Sequence, residues 1–410
     1  MQATNMISSL TQHFLEKEAL YGAHNYHPLP VVLTRGRGVF VWDVDDRRYY
    51  DFLSGYSAVN QGHCHPRIIE TFIEQAQKLT LTSRAFHNDA LGEYAEFITK
   101  FFGYDKVLPM NTGVEAVETG IKLARRWGYE VKGVPQNKAK IITCEHNFHG
   151  RTLSVISFSS DDSSRKDFGP FTPGFELIPY NDIAALQLAL LDTDVVAFLV
   201  EPIQGEAGVI VPDEGYLSKA AAICKEANVL FIADEIQTGL ARTGKMLACD
   251  HENVRPDILL LGKALSGGTM PVSAVLADDE IMLTIKPGDH GSTYGGNPLA
   301  CKVAITALQV LADEQMAENS AIEGEYFRQE LLALNHEHIS VVRGKGLFNA
   351  IVIDHPNKDA AWDICLEMKD NGLIAKPTHG DRIRFAPPLI ITRTQTDECI
   401  YIIRKSLENF

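Results

Sequence analysis

The chain has 410 residues and a mass of 45.4 kDa, and 45% of its residues are hydrophobic, which is enough to bury a sizeable core in what we expect to be two domains. Its 53 acidic residues outnumber its 38 basic residues, and the formal net charge is −15 at pH 7. This charge argues against nucleic acid and anionic membranes as partners, since no local basic patch is visible in the sequence.

The cysteines and the N-terminus indicate a compartment. The seven cysteines occur singly, without a C-x-x-C pair, which argues against a disulfide framework and against a zinc site. The first residues, MQATNMISSLTQHF, lack the apolar core of a signal peptide and the arginine-rich character of a transit peptide. No later apolar run is long enough to predict a membrane span. We therefore expect a cytoplasmic protein, although a processed organellar protein would have the same composition.

The chain opens with a predicted hairpin. Residues 36–53, RGRGVFVWDVDDRRYYDF, alternate apolar and polar side chains on either side of Asp45 and Asp46. Because two such runs around a turn pair in antiparallel fashion, we assign residues 1–50 to an N-terminal segment that contains this hairpin and belongs to the small domain.

Residues 51–296 are expected to form a large α/β domain. Helical patterns over 113–128 and 216–227 separate several short runs that are rich in β-branched and apolar residues. These seven runs predict a mainly parallel sheet of seven strands: VLPM, KIITC, LSVISF, VVAFLV, VLFIA, ILLL and VSAVL.

Residues 297–410 are expected to form a linking helical region and a smaller α+β domain. Helical patterns dominate residues 297–334 and return over residues 359–370. The stretches between and after them predict strands: VVRGKGLFNAIVID, LIAKP and RIRFAPP.

Two kinds of motif resemble known sites but lack a necessary residue. GLARTGKM, residues 239–246, has the spacing of a P-loop, but Met246 stands where magnesium needs a hydroxyl group. No metal site is predicted from the paired histidines, because each pair lacks a third ligand nearby in sequence: His63 with His65, and His146 with His149.

An acid and a lysine each follow a buried strand. In VLFIADEIQTG, Asp234 stands where the strand should end, at the sheet edge where open parallel sheets bind ligands. Pyridoxal phosphate needs such a carboxylate, because its ring nitrogen must stay protonated to withdraw electrons. It also needs an amine for its aldehyde. LGKALSGG supplies Lys263 just after the apolar run ILLL, and apolar surroundings lower the pKa of an amine.

Two stretches are suited to a phosphate group. Asn111, Thr112 and Gly113 precede an amphipathic helical pattern, so free N–H groups and the positive end of the helix dipole would face an anion. HGSTYGGNP, residues 290–298, offers Ser and Thr hydroxyls among three glycines. Taken singly, an ordinary helix cap or a tight loop has the same patterns.

Four elements then occur in one order along the chain: N-T-G at 111–113, N-F-x-G-R at 147–151, D-E-x-Q-T-G at 234–239, and Lys263. Together they resemble the class III (ω-amino acid) aminotransferases, which belong to the fold-type I pyridoxal phosphate enzymes. Longer stretches resemble the ornithine-using members of that family over nearly the whole chain: YGAHNYHPLPVVL, SGYSAVNQGHCHP, VEPIQGEAGVIVP, HGSTYGGNPLA and AKPTHGDRIRFAPPL. The resemblance implies transfer of the δ-amino group of ornithine to 2-oxoglutarate.

The resemblance also implies a role for each matching residue. Lys263 would bind the cofactor aldehyde and move protons, and Asp234 would pair with the ring nitrogen. The other implied cofactor contacts are with the ring (Phe148, Ile236 and Gln237) and with the phosphate (Gly113, Val114, Ser292 and Thr293). Because Thr293 would come from the neighbouring subunit, the resemblance implies a homodimer with shared active sites.

One pocket must accept two different substrates. An arginine that binds the α-carboxylate of 2-oxoglutarate would repel the ammonium group of the amino donor unless its charge were masked. The resemblance implies that Glu206 masks Arg384 and releases it when the keto acid enters. It also implies that Arg151 holds the distal carboxylate of either substrate, and that Tyr26 and Tyr56 favour the α-amino acid end of ornithine.

Two residues depart from the family pattern, and other activities stay open. His149 stands where some members have tryptophan, and Met270 where tyrosine is common; we expect neither to touch the chemistry directly. Acetylornithine and 4-aminobutyrate aminotransferases share the same cofactor residues. A decarboxylase or aminomutase of this fold would need no second keto acid and no pair of Glu206 with Arg384, and an inactive scaffold would need none of these residues.

Overall fold

The N-terminal part of the chain forms a small sheet. The computed structural model describes residues 8–408 and residue 410, so the first seven residues of the predicted 1–50 segment lie outside the described part. The first elements are α1 (Ser9–Tyr21), β1 (Leu33–Arg37), β2 (Phe40–Asp43) and β3 (Arg48–Asp51). The hairpin prediction is confirmed, because β2 and β3 pair in antiparallel fashion. Asp43 accepts hydrogen bonds from the N–H groups of Asp45 and Arg47 in the turn.

A seven-stranded sheet forms the centre of the molecule, as predicted. Its strands are β4 (Lys106–Met110), β5 (Lys140–Cys144), β6 (Phe175–Ile178), β7 (Val195–Val200), β8 (Leu230–Asp234), β9 (Ile258–Leu261) and β10 (Ser273–Ala277). They lie in the order β4-β10-β9-β8-β7-β5-β6. β10 is antiparallel to both of its neighbours, whereas β6, β5, β7, β8 and β9 pair in parallel.

One of the predicted strands is wrong, and another segment replaces it in the sheet. LSVISF, residues 153–158, begins with the short helix α6 (Leu153–Ile156) instead of a strand. Its Val155 and Ile156 are buried, and an apolar run this short has no periodicity that separates a helix from a strand. The sheet instead gains β6, whose four residues include one fully buried side chain and therefore give only a weak strand signal in the sequence.

Helices cover the sheet on both faces, so its inner strands are apolar throughout. Every residue of β7, β8, β9 and β10 is buried, as expected for strands packed on two sides. The helices up to this point of the chain are α2 (Ser54–Ser57), α3 (Pro66–Lys78), α4 (Asp89–Phe102), α5 (Gly113–Trp127), α6, α7 (Asp162–Arg165), α8 (Ile183–Ala189), α9 (Tyr216–Glu226) and α10 (Asp279–Met282).

The C-terminal part contains the predicted mixture of helices and strands. Its elements are α11 (Pro298–Asp313), α12 (Met316–Ala333), β11 (Ile339–Lys345), β12 (Phe348–Ile353), α13 (Ala360–Asp370), β13 (Leu373–Ile374), β14 (Lys376–Thr378), β15 (Arg382–Phe385) and α14 (Arg393–Leu407). Four of these strands form an antiparallel sheet in the order β11-β12-β15-β14.

The remaining strand, β13, pairs in parallel with β3, so a strand from the C-terminal part of the chain extends the N-terminal sheet. A hydrophobic cluster also extends from Leu259 in the central sheet to Ile383 in the C-terminal sheet. The division at residues 50 and 296 stays a prediction. Over residues 8–408, no helix is both long and apolar enough to cross a membrane.

Candidate active site

The predicted site residues lie at the edge of the central sheet where the parallel strands end. Asp234 is the last residue of β8, Lys263 follows β9 after one residue, and Gly113 follows β4 after two. Phe148 lies in the loop after β5. Since the carboxyl ends of these strands meet at one edge, residues far apart in sequence line a single cavity there.

Asp234 is buried and held on both of its oxygen atoms. Its side chain is 5% exposed, and Oδ1 accepts a hydrogen bond from the N–H of Ile236 at 3.1 Å. Its Oδ2 lies 2.6 Å from Nδ1 of His149. These contacts fix the plane of the carboxylate.

Lys263 has an unusual backbone and a perturbed amine. Its φ angle is +45°, in the left-handed region that few residues other than glycine adopt, so its side chain leaves the end of β9 in an uncommon direction. Burial lowers the pKa of the Lys263 ammonium, although the nearby carboxylates of Glu206 and Asp234 act in the opposite direction. A lowered pKa increases the fraction of neutral amine, which is the nucleophilic form.

The first turn of α5 offers an anion site. Thr112 caps this helix, and Thr112 and Glu115 form a capping box in which the Glu115 carboxylate accepts from the N–H groups of Asn111 and Thr112. The next two N–H groups, of Gly113 and Val114, have no protein acceptor among the hydrogen bonds of the described residues. Free N–H groups at a helix N-terminus are suited to a phosphate.

Glu206 and Arg384 form the predicted pair. Arg384 Nη1 donates to Glu206 Oε1 at 2.7 Å, and the two side chains are 5% and 23% exposed. Burial acts to raise the pKa of the Glu206 carboxyl, but the positive charge of Arg384 outweighs it, and the pKa is lowered. The Arg384 guanidinium also lies over the ring of Tyr56, with 5.2 Å between Cζ and the ring centroid.

Gln237 links this pair to the rest of the site. Its Nε2 donates to Glu206 Oε1 at 3.4 Å and to the backbone oxygen of Tyr56 at 3.3 Å. Gly205 permits this approach, because a Cβ atom at that position would lie 1.7 Å from Gln237 Oε1. The pair and the cofactor region are therefore joined by one side chain.

The cavity between these groups has a volume of about 330 Å³. It brings together most of the residues predicted from the sequence: Tyr26, Gly113, Val114, Phe148, Arg151, Asp234, Ile236, Gln237 and Lys263. Glu206 lines an adjoining cavity of about 340 Å³ that shares Phe148 and Arg151 with the first.

Four other predicted residues do not line this cavity: Tyr56 and Arg384, which lie together beside Glu206, and Ser292 and Thr293. Ser292 instead accepts a hydrogen bond from Nδ2 of Asn111 through its Oγ, at 2.8 Å. Thr293 is exposed on the surface of the chain. Tyr26 does line the cavity, but 68% of it is exposed. Arg151 is also exposed, and among the described residues it forms no ion pair, so its charge is available to a ligand.

Two residues near Asp234 were not predicted as part of the site. His149, which was expected not to touch the chemistry directly, lines this cavity and hydrogen-bonds to Asp234. Glu201 follows β7 and lines the same cavity, where burial raises the pKa of its carboxyl to about 7. The signal for Glu201 was present in the sequence, since it follows a buried strand as Asp234 does. Met270 packs against the main hydrophobic core.

The paired histidines outside this site make ordinary contacts. Nε2 of His63 lies 2.7 Å from Asp51, and Nε2 of His65 lies 2.9 Å from Glu314. Within the described residues, no group of three or more potential ligands is arranged to hold a metal ion.

The cavity fits pyridoxal phosphate on three independent features. A buried carboxylate is available to a cationic ring nitrogen, an amine with a lowered pKa is available to the aldehyde, and two free N–H groups are available to the phosphate. Each feature comes from a different strand end, namely those of β8, β9 and β4.

Comparison with known proteins agrees with this geometry. The family model described as aminotransferase class III matches residues 21–407. This chain belongs to the class III aminotransferase family. This chain is 63% identical over 400 residues to a rat protein named ornithine aminotransferase, mitochondrial. The match covers 98% of this chain and 91% of the rat protein. It is also 54% identical over 417 residues to ornithine aminotransferase from Emericella nidulans, with 99% of this chain and 92% of that protein covered.

Solved structures of class III relatives have the same fold-type I architecture. Ornithine aminotransferase from Toxoplasma gondii superposes with a TM-score of 0.96 at 50% identity, covering 97% of this chain and 94% of that one. The description of that structure reports partial occupancy of PLP at its active site. Acetylornithine aminotransferase from Elizabethkingia anophelis superposes with a TM-score of 0.90 at 58% identity. The match covers 98% of this chain and 99% of that one.

Proposed function

We propose that this class III aminotransferase uses pyridoxal phosphate to transfer the δ-amino group of ornithine to 2-oxoglutarate. The products are glutamate and glutamate-5-semialdehyde, which cyclises to pyrroline-5-carboxylate. The observation that carries the proposal is the ion pair of Glu206 with Arg384 beside a cavity that contains Asp234 and Lys263. The names of the rat and Emericella relatives support the same substrate.

The cofactor, when bound, supplies an electron sink for the carbon that loses a proton. Lys263 would hold the cofactor through its aldehyde group, and its amine would be placed to remove and return protons at the substrate carbon. Asp234 would oppose the positive charge of the ring nitrogen and so keep its proton bound. Phe148 would cover one face of the ring, and Gly113 and Val114 would bind the phosphate through their N–H groups.

We propose that the active enzyme is a homodimer with shared sites. Ser292 and Thr293 do not line the cavity of their own chain, and Thr293 is exposed. A second copy of the chain would therefore bring the hydroxyl of Thr293 to the phosphate. The resemblance to the family supports this arrangement.

Glu206 has a different task in each half-reaction. While it pairs with Arg384, the positive charge of the guanidinium is neutralised and does not repel the ammonium group of ornithine. When 2-oxoglutarate enters, its α-carboxylate replaces Glu206 on Arg384. Arg151, which has no ion-pair partner of its own in the described part of the chain, binds the distal carboxylate of either substrate.

A second candidate substrate is N-acetylornithine. It is favoured by the 58% identity with the acetylornithine aminotransferase from Elizabethkingia anophelis. The two donors differ at the α-nitrogen, which is a charged amine in ornithine and a larger neutral amide in the acetylated molecule. Tyr26 lies at the cavity wall and is exposed, so it is available to contact this end of the donor.

One assay separates these candidates. The purified protein is mixed with 2-oxoglutarate and either ornithine or N-acetylornithine, with an aminobenzaldehyde reagent as trap. Only the ornithine product has a free α-amine that can close the ring, so a trapped adduct with ornithine supports the proposal. Formation of glutamate from N-acetylornithine alone would reverse the assignment. Product formation without any keto acid would indicate a decarboxylase or an aminomutase.

The compartment stays a prediction. The names of the rat and Drosophila melanogaster relatives include the word mitochondrial, whereas the name of the Emericella nidulans relative does not. We propose the cytoplasm, and fractionation of the source cells tests this assignment.

A further inference from the structure

His149 sits in a turn that several contacts hold rigid. Asn147 Nδ2 donates to the backbone oxygens of Cys144 at 2.6 Å and of Phe158 at 2.8 Å, which closes the turn after β5. The N–H of Phe148 donates to Glu201 Oε1 at 2.7 Å. These contacts fix the backbone that leads into His149.

The ring of His149 has one polar contact. Its side chain is 1% exposed, and Nδ1 lies 2.6 Å from Oδ2 of Asp234. The other ring nitrogen, Nε2, is buried and has no hydrogen-bond partner in the described residues. Because an ionised carboxylate can only accept hydrogen bonds, the proton of this contact belongs to Nδ1.

A side chain that only filled space would need no nitrogen at this position. A buried nitrogen without a hydrogen-bond partner destabilises the fold. An imidazole is therefore unfavourable at this position unless the contact of its other nitrogen compensates for that loss. Phe158 packs beside His149, with ring centroids 5.8 Å apart, and an apolar ring would suit that contact equally well. The geometry thus points to the contact with Asp234 as the reason for a histidine here.

The charges around His149 favour the same contact. Burial acts against a charged imidazole, but the hydrogen bond and the negative charge of Asp234 outweigh it, and the pKa of His149 is raised. Glu201 is the other acid that acts on this ring. Both acids favour a protonated imidazole, and the hydrogen bond that the described residues offer to this ring is the one with Asp234.

We propose that His149 is a positioning residue that donates its Nδ1 proton to Asp234, so that this carboxylate stays ionised and turns its free edge to the ring nitrogen of the cofactor. The inference rests on the proposed function, because the ring nitrogen is that of pyridoxal phosphate. His149 itself does not touch substrate. It acts through Asp234, by fixing the orientation of the carboxylate and its charge.

The test compares a variant that keeps a hydrogen-bond donor with variants that remove it. His149→Asn keeps an N–H donor near the position of Nδ1, whereas His149→Leu removes every donor. Cofactor labelled with ¹⁵N at the ring is bound to each full-length protein, and its chemical shift reports whether the ring nitrogen carries a proton. Cofactor affinity is measured by equilibrium dialysis, and thermal unfolding checks the fold. His149→Phe provides a second donor-free variant.

We expect the wild type and His149→Asn to keep a protonated ring nitrogen. In His149→Leu and His149→Phe the signal should move towards the unprotonated position, and the affinity should fall by about tenfold, as for a lost hydrogen bond to a charged group. An unchanged shift and affinity in both donor-free variants would overturn the positioning role and leave the proposed function intact. A wild-type protein that binds no cofactor would overturn both.

Discussion

Lys263 combines a strained backbone with an amine of lowered pKa, and the proposed chemistry depends on it. Lys263→Ala removes the amine that binds the cofactor aldehyde. We expect the visible absorption of the protein incubated with pyridoxal phosphate to disappear after gel filtration, and turnover to fall at least about a thousandfold. Lys358→Ala, which changes an exposed lysine, is the matched control and should keep both the visible absorption and the turnover. A yellow, active Lys263→Ala protein would refute the assignment.

Glu206 offers a test of the charge mask. Glu206→Gln leaves Arg384 with a buried charge that nothing neutralises, so the ornithine half-reaction should slow by roughly tenfold or more. The 2-oxoglutarate half-reaction should change less, since the keto acid uses the free guanidinium. Rapid mixing with one substrate at a time measures the two halves separately. Equal losses of rate in the two half-reactions would contradict the proposal that Glu206 masks the charge of Arg384. Glu214→Gln, at an exposed position, should leave both rates unchanged.

The residues missed at the site show where sequence reasoning stops. Asp234 and Lys263 could be predicted because each follows a strand of continuous apolar residues. His149 could not, since it meets Asp234 only after β5 and β8 are placed on either side of β7, and 85 residues separate the two side chains. A histidine in a loop has no pattern of its own.

At the scale of elements, the segment that carries Tyr26 depends on a stacked pair. His27 lies flat against Trp362 of α13, with ring centroids 4.4 Å apart and an angle of 9° between the planes. Trp362→Ala should loosen this segment and raise the KM for ornithine about two- to tenfold, the range expected from an aromatic pair. The KM for 2-oxoglutarate should stay the same, because Arg384 lies on a different element.

Trp362→Phe is the control for this change, because it keeps an aromatic ring under His27. We expect it to restore most of the affinity for ornithine. A rise in both KM values in Trp362→Ala would instead indicate general disturbance of the C-terminal part. No change in either value would mean that Tyr26 is held by other contacts.

The elements themselves divide into those with a strong pattern and those without. Continuous apolar runs gave β7, β8 and β9 correctly, because a strand buried on both faces needs apolar residues at every position. LSVISF failed because six residues do not separate a helix from a strand. The turn Ser54–Ser57, whose four residues all have positive φ, contains one glycine and no other sign of its left-handed backbone.

At the scale of the whole molecule, shared active sites can be tested with hybrid dimers. Thr293→Asp would place a negative charge against the phosphate and weaken cofactor binding. If Thr293 acts in the neighbouring site, a dimer of one Lys263→Ala chain and one Thr293→Asp chain has both defects in one site and none in the other. Mixing the two inactive proteins under conditions of subunit exchange should therefore restore activity.

The expected recovery has a definite limit. Each hybrid dimer contains one intact site of two, so activity should not exceed about half of the wild-type value per hybrid. If each chain instead used its own Thr293, every site in the mixture would carry one defect. The mixture would then stay as inactive as its components, and the shared-site proposal would be wrong.

The most direct measurement of the central claim follows the nitrogen atom. The enzyme is supplied with 2-oxoglutarate and with ornithine that carries ¹⁵N at either the δ- or the α-position, and the glutamate formed is analysed by mass spectrometry. If Lys263, Asp234 and the masked Arg384 act as proposed, the δ-label passes to glutamate, one atom for each pyrroline-5-carboxylate trapped. Transfer of the α-label, or loss of ornithine without labelled glutamate, would contradict the account.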